Sequence, residues 1–289
     1  MEESIKNIKV DGGSVYTKTI GNGSKKILLL HGGPGLTHEY FENFTQELKN
    51  EDVQLIYYDQ LGSYFSDQPE DTALYTIERF VEEIKIVITE LGLNDFYLFG
   101  HSWGAALAIE YALKYPNGLK GVILSNMMAD FNAYQVYIEK QFLNFPAEVQ
   151  SQFNTLIEQE AFADPAFQQL VFQYWYIPYL CRLTPWPDAM NRTLQHLATP
   201  VLMTLLGPHP FKVLGTLKSW SRFEDLKNIH IPSLVIGAEY DSMDGNHLRK
   251  MADQLPMGTY AHCPSGSHFS MWDDTDNYFD GIKAFLKAQ

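Results

Sequence analysis

The pentapeptide Gly100-His101-Ser102-Trp103-Gly104 constrains the fold of this chain more than any other stretch. It fits Gly-x-Ser-x-Gly, and its flanks decide how it is read. Asp95-Phe96-Tyr97-Leu98-Phe99 before it is a short apolar run, rich in aromatics, that predicts a buried strand. Ala105 to Leu113 after it are helix formers, with small residues next to the turn. Strand, sharp turn and helix in that order describe a nucleophile elbow. Such a turn holds Ser102 in a strained backbone conformation and lifts its hydroxyl above the sheet. Gly100 and Gly104 fit because side chains there would collide across the turn. The rest of the chain is then expected to supply a base, an acid and donors for an oxyanion.

An elbow needs a mostly parallel sheet around it, and the chain carries the pattern of one. Ile5 to Val10 and Val15 to Ile20 flank the turn Asp11-Gly12-Gly13-Ser14 and predict a β-hairpin. Ile27-Leu28-Leu29-Leu30, Val53 to Tyr58, and Gly121 to Ser125 are wholly apolar runs of the kind buried on both faces of a parallel sheet. Ile77, Phe80, Val81, Ile84, Ile88 and Leu91 follow helical spacing, and Gly92 is placed to end that helix. From Met127 to Trp220 the alternation stops, and an aromatic-rich, proline-broken helical segment takes its place. The alternation resumes with a strand running from Ile231 into Asp241. A helix over Asn246–Leu255, a last strand over Thr259–Cys263 and a closing helix over Asp273–Ala288 follow. The expectation is an α/β-hydrolase fold: a mostly parallel central sheet with helices on both faces and an inserted helical cap. The core would span residues 1–126 and 221–289, and the cap 127–220.

Composition narrows the partners. The formal net charge of −14 argues against nucleic acid and anionic membrane surfaces. No run approaches the roughly 18 apolar residues of a membrane span. The polar start Met1-Glu2-Glu3-Ser4-Ile5-Lys6 has no apolar core of a signal peptide, so a cytoplasmic location is expected. Cys181 and Cys263 are far apart and in no metal-binding spacing, which predicts buried free thiols. No His/Cys/Asp cluster has ligand spacing, so neither metal nor cofactor is expected.

The order Ser102, Asp241, His268 assigns the reacting groups. Ser102 would attack a carbonyl carbon, His268 would carry its proton, and Asp241 would hold the imidazole in one tautomer. Asp241 is preferred to Asp244 because it stands nearer the strand end. His268 is preferred to His31, His101 and His262 because it follows the last strand in the loop Pro264-Ser265-Gly266-Ser267-His268. His31-Gly32-Gly33-Pro34-Gly35, after the third strand, leaves backbone amides accessible, so Gly33 and Trp103 are the expected oxyanion donors. Asp59, in a turn ahead of the elbow, is expected to fix a loop.

Together with Asp59-Gln60-Leu61-Gly62-Ser63, Asp241 and Gly266-Ser267-His268, these motifs resemble the proline iminopeptidase family of α/β-hydrolases, the S33 serine aminopeptidases. The similarity spans nearly the whole chain. It includes Gly215-Thr216-Leu217-Lys218-Ser219-Trp220, where the cap returns to the core. The resemblance implies removal of an N-terminal residue, often proline, from short peptides, with Gly32 and Pro34 among the substrate-binding residues. It also implies two carboxylates for the substrate's free amine, one in the cap and one directly after the catalytic acid. At those places stand Gly207-Pro208-His209-Pro210-Phe211, which has no acid, and Ser242. Glu239 and Asp244, or the cap acids Glu139 and Glu158, are the candidates to substitute. An amidase or esterase acting on small acyl groups without a free amine is the competing expectation.

Overall fold

In the computed structural model, which describes residues 2–289, the apolar runs assemble into one eight-stranded sheet. The hairpin is β1 (Glu3–Val10) and β2 (Gly13–Ile20), paired antiparallel. It is followed by β3 (Lys25–Leu30), β4 (Val53–Asp59), β5 (Phe96–His101) and β6 (Leu119–Ser125). The last two strands are β7 (Ser233–Ala238) and β8 (Gly258–Cys263). The spatial order is β1-β2-β4-β3-β5-β6-β7-β8. Only the hairpin strands run antiparallel to their neighbours; every pairing from β4 to β8 is parallel. Residues of β5 are buried throughout, as a central strand covered on both faces requires. The chain's carboxyl ends of β3, β5, β6, β7 and β8 therefore share one edge, and the loops leaving them meet there.

The helices sort by their apolar faces. After a short helix α1 (Asn43–Glu47), α2 (Ile77–Glu90) begins at Thr76, whose hydroxyl accepts from the Arg79 amide at 3.3 Å. It ends at Gly92, whose φ of +60° is the left-handed closure predicted for it. The elbow helix α3 (Trp103–Lys114) is buried along nearly its whole length. One core lies between α2, α3 and one face of the sheet, and a second, built on Phe41, Phe44, Phe99 and Phe279, lies on the other.

Between β6 and β7 come five α-helices: α4 (Phe131–Phe142), α5 (Ala147–Glu158), α6 (Pro165–Val171), α7 (Asp188–Gln195) and α8 (Thr199–Leu205). A wide π-type helix over Phe172–Leu180, with Pro178 inside it, directly continues α6. Much of this segment packs around its own small aromatic core of Phe145, Phe153, Phe167, Trp175 and Phe211. The chain leaves and re-enters through paired backbone. The Phe131 amide donates to the Trp220 carbonyl at 2.9 Å, and the Arg222 amide to Ala129 at 2.8 Å.

After β7, α9 (Gly245–Gln254) precedes β8. The closing helix predicted over Asp273–Ala288 forms as α11 (Thr275–Lys287), preceded across a break at Asp274 by the four-residue α10 (Ser270–Asp273). The break has a physical cause: the Asp274 and Asp273 carboxylates turn back to accept from the Ser265 and Ser267 amides at 2.9 and 3.0 Å. The chain gives up one continuous helix and gains a fixed loop ahead of His268. Cys181 and Cys263 are buried free thiols, each pushed up to about 12 by burial.

Candidate active site

The elbow is as tight as its glycines suggest. A methyl group on Gly100 would sit 2.2 Å from the Gly104 carbonyl oxygen, and one on Gly104 would sit 2.1 Å from the Leu30 carbonyl oxygen. Ser102 between them has φ 53° and ψ −127°, a conformation that L-residues rarely adopt. Its amide is tied to the Ser125 carbonyl on β6 at 2.9 Å. Trp103, the first residue of α3, carries an amide that the helix itself leaves unbonded. Its indole N–H donates to Gln60 Oε1 at 2.8 Å, and the Gln60 amide group in turn donates to the His31 carbonyl at 3.0 Å. The Asp59-Gln60 turn thus braces both the elbow and the glycine loop.

That loop lies directly against Ser102: a methyl on Gly32 would come within 2.9 Å of Ser102 Cβ. The Gly32 amide is occupied, donating to the Tyr40 hydroxyl at 2.6 Å. The neighbouring Gly33 has φ +110° and makes no backbone hydrogen bond through its amide among the described residues. His31 is buried, and burial lowers its pKa. Its Nε2 accepts from the Gln60 amide at 3.1 Å, and its Nδ1 donates to the Gly32 carbonyl at 3.0 Å. Asp59 accepts from the His38 amide at 2.6 Å and ring at 3.0 Å, the loop-fixing arrangement expected of it.

Asp241 follows β7 and His268 follows β8. His268 Nδ1 donates to Asp241 Oδ1 at 2.8 Å. The Met243 amide donates to the same oxygen at 3.1 Å, and Asn126 Nδ2 donates to the other at 2.7 Å. The recorded bonds of the imidazole all run through Nδ1, to Asp241 and, at 3.4 Å, Ser242 Oγ. That pattern fixes the Nδ1–H tautomer and leaves Nε2 an acceptor. Asp241 is buried and His268 nearly so, which keeps water from competing for the pair.

The His268 loop is held from both sides. From the core, His101 Nε2 donates to the His268 carbonyl at 2.8 Å. From the helical segment, the last carbonyls of the wide helix, Tyr179 and Leu180, accept from the His268 and Phe269 amides at 2.9 and 2.8 Å. These are carbonyls a helix end must satisfy elsewhere. Ser267 Oγ donates to Leu180 at 2.7 Å, and it also bonds Asp273. From α4, the Tyr137 hydroxyl donates to the Asp241 carbonyl at 3.4 Å.

The acids considered for an amine site mostly face elsewhere. Glu139 and Glu158 are solvent-exposed. Glu239 is exposed too, 3.6 Å from His262. Asp244 caps α9, accepting from the Asn246 amide at 2.9 Å. The segment 207–211 turns into the aromatic core of the helices, where His209 stacks on Phe162 at 5.3 Å and Phe211 meets Phe153 edge to face at 4.8 Å. Ser242 is buried beside Asp241, with its hydroxyl donating to Oδ1 at 3.3 Å. Residue-by-residue reading missed three polar contributors: Tyr40, Tyr137 and Asn126. Only Asn126 left a signal, an Asn directly after an apolar strand, where left-handed backbone favours that residue.

A family model described as the α/β hydrolase fold matches residues 25–275. A proline iminopeptidase of Chitinophaga pinensis is 40% identical over 280 residues, 95% of this chain and 94% of that relative. One from Elizabethkingia meningoseptica is 41% identical over 278 residues, 94% of this chain and 93% of its own. Among solved structures, VinJ superposes with a TM-score of 0.93 at 24% identity, covering 99% of this chain and 98% of its own. A proline iminopeptidase from Mycobacterium smegmatis superposes with a TM-score of 0.89, also at 24% identity, with the same coverage. At that identity the two structural likenesses speak to fold alone.

Proposed function

Because this chain belongs to the proline iminopeptidase family of the α/β hydrolase fold, we propose that Ser102, His268 and Asp241 act as the triad of a serine aminopeptidase. The single observation that carries the assignment is the 2.8 Å bond between His268 Nδ1 and Asp241 Oδ1, which turns an acceptor Nε2 away from the acid. Ser102 Oγ attacks the carbonyl carbon of the scissile amide while its proton passes to His268 Nε2. The oxyanion is received by the amides of Trp103 and Gly33, at the positive end of α3. Collapse of the tetrahedral species expels the amine, which takes the proton from His268. Water, deprotonated by the same imidazole, then cleaves the acyl-serine ester and frees the N-terminal residue.

Residues 127–220 form the cap in this reading. They screen the site from folded proteins and restrict it to small molecules or short peptides, with Gly32 and Pro34 shaping the acyl side. No helix among the described residues is long and apolar enough to cross a membrane. A cytoplasmic enzyme without nucleic-acid or membrane partners is consistent with the charge of −14.

A second reading, an amidase or esterase for acyl groups lacking a free amine, is favoured by one observation. Ser242, and not a carboxylate, follows Asp241, and the groups α4 turns toward that acid are the phenols of Tyr134 and Tyr137. A desolvated ammonium with no carboxylate partner is costly. Assay of purified protein on aminoacyl arylamides and their N-acetylated forms separates the two. Faster turnover of the free-amine compounds supports the aminopeptidase; faster turnover of the blocked ones overturns it.

A further inference from the structure

We propose that Asn126 is a positioning residue for this site: its side-chain amide holds the Asp241 carboxylate in the rotamer that faces His268. The inference rests on the triad reading above. Asn126 is the first residue beyond β6, with φ +52°, and its own amide donates to the Ile236 carbonyl on β7 at 2.9 Å. Three adjacent strands therefore each deliver one member of a line: Asn126 after β6, Asp241 after β7, His268 after β8.

The orientation of the Asn126 amide is decided by its neighbours. Ser125 Oγ donates to Asn126 Oδ1 at 2.6 Å, and Ser270 Oγ donates to the same oxygen at 3.4 Å. The Tyr278 hydroxyl lies 2.8 Å from Ser125 Oγ and serves as its donor, since the Ser125 proton is spent on Asn126. With Oδ1 saturated by hydroxyls, Nδ2 must face the acid, and it donates to Asp241 Oδ2 at 2.7 Å and to the Ser267 carbonyl at 3.4 Å. Asp241 Oδ1 has three donors, from His268, Met243 and Ser242; Asn126 is the side-chain donor to Oδ2. All the side chains in this line are buried or nearly so, so water is a poor substitute.

Two variants separate positioning from mere scaffolding. Asn126→Gly tolerates the positive φ and removes the donor to Asp241 together with the acceptor for Ser125 and Ser270. Asn126→Asp is nearly isosteric but sets a second carboxylate against Asp241. The other titratable groups facing Asp241 are His268, Tyr134 and Tyr137 from α4, Tyr260 and Cys263 from β8, and Asp273 from α10; they are unchanged in both variants. The expected result for Asn126→Gly, normalised to folded protein by near-ultraviolet circular dichroism, is a kcat lower by about tenfold or more with KM within about twofold. For Asn126→Asp, the two facing carboxylates cannot both ionise and hold one proton between them, so the acid form donates to Asp241 as the amide does and recovers most of the kcat lost in the glycine variant. Wild-type kcat in the glycine variant, or no recovery in the aspartate variant at pH 6, overturns the proposal. Failure of the triad reading shows separately, as turnover surviving in Ser102→Ala.

Discussion

His101 donates its Nε2–H to the backbone carbonyl of His268 at 2.8 Å, so the residue beside Ser102 holds the His268 loop. The bond is one link in a buried line. The Gly32 amide donates to the Tyr40 hydroxyl, and that hydroxyl donates to His101 Nδ1 at 3.0 Å. Every proton in the line has one place to be, and only the neutral imidazole fits. Burial, together with the neighbouring His268, pushes the His101 pKa well below the usual histidine value.

The first prediction follows from that neutral ring. The folded state resists binding a proton that the unfolded chain takes up below pH about 6.5, so stability falls as pH drops through that value. Asn at position 101 retains a donor and an acceptor but does not titrate. Urea unfolding of wild type and His101→Asn between pH 5 and 7 should differ in slope increasingly as pH falls, approaching one proton, about 1.4 kcal/mol per pH unit, near pH 5, with the wild type steeper. Parallel slopes would show that His101 is not held neutral.

The second concerns the strain at Ser102. Ala retains the φ of 53° with a Cβ, whereas Gly relieves it. Both Ser102→Ala and Ser102→Gly should lose activity by at least ~10³-fold. The glycine variant should be the more stable of the two by about 1 kcal/mol, read from chemical unfolding. Equal stability would mean that the elbow stores no strain.

The third tests the glycine loop. A methyl on Gly32 meets Ser102 Cβ at 2.9 Å and the His101 carbonyl at 3.1 Å, so the loop must retreat from Ser102. Displaced oxyanion donors cost about a hundredfold or more in kcat. Gly32→Ala is expected to show that loss with substrate affinity largely kept. Steady-state kinetics decide it, and unchanged kcat would move the oxyanion site off this loop.

The fourth concerns the tie between α7 and the core. Glu39 is buried, and burial works to raise its carboxyl. Hydrogen bonds from His196, Thr37 and Arg192 outweigh that and leave its pKa lowered. The distances are 2.6 Å to His196 Nδ1, 2.8 Å to Thr37 Oγ1 and 3.0 Å to Arg192 Nε. A depressed carboxylate contributes stability above its unfolded pKa near 4.5 and loses it as pH falls through the folded value. Glu39→Gln should therefore destabilise the protein at pH 7 by about 1.5–3 kcal/mol, and by less near pH 4. Thermal unfolding at both pH values measures this; an equal effect at each would show that the charge is irrelevant.

The parts legible in the sequence were those enforced locally. Apolar runs of four to six residues mark strands buried on both faces, and helical spacing with Gly92 marks α2 and its end. The elbow was readable because its glycines answer a clash within five residues. Ser102, Asp241 and His268 could be ordered because each stands just past a strand, and parallel strands place their carboxyl ends along one edge. Tertiary structure decided everything that depends on which loops meet. Asn126 and Asp241 are 115 residues apart, and no local pattern announces the 2.7 Å bond between them. The same holds for Tyr179 and Leu180 docking the His268 loop, and for segment 207–211 turning into an aromatic core. Periodicity reports which face of an element is buried. The partners of a buried polar group are set only when the strand order β5-β6-β7-β8 brings their loops together and unpaired donors and acceptors must find each other.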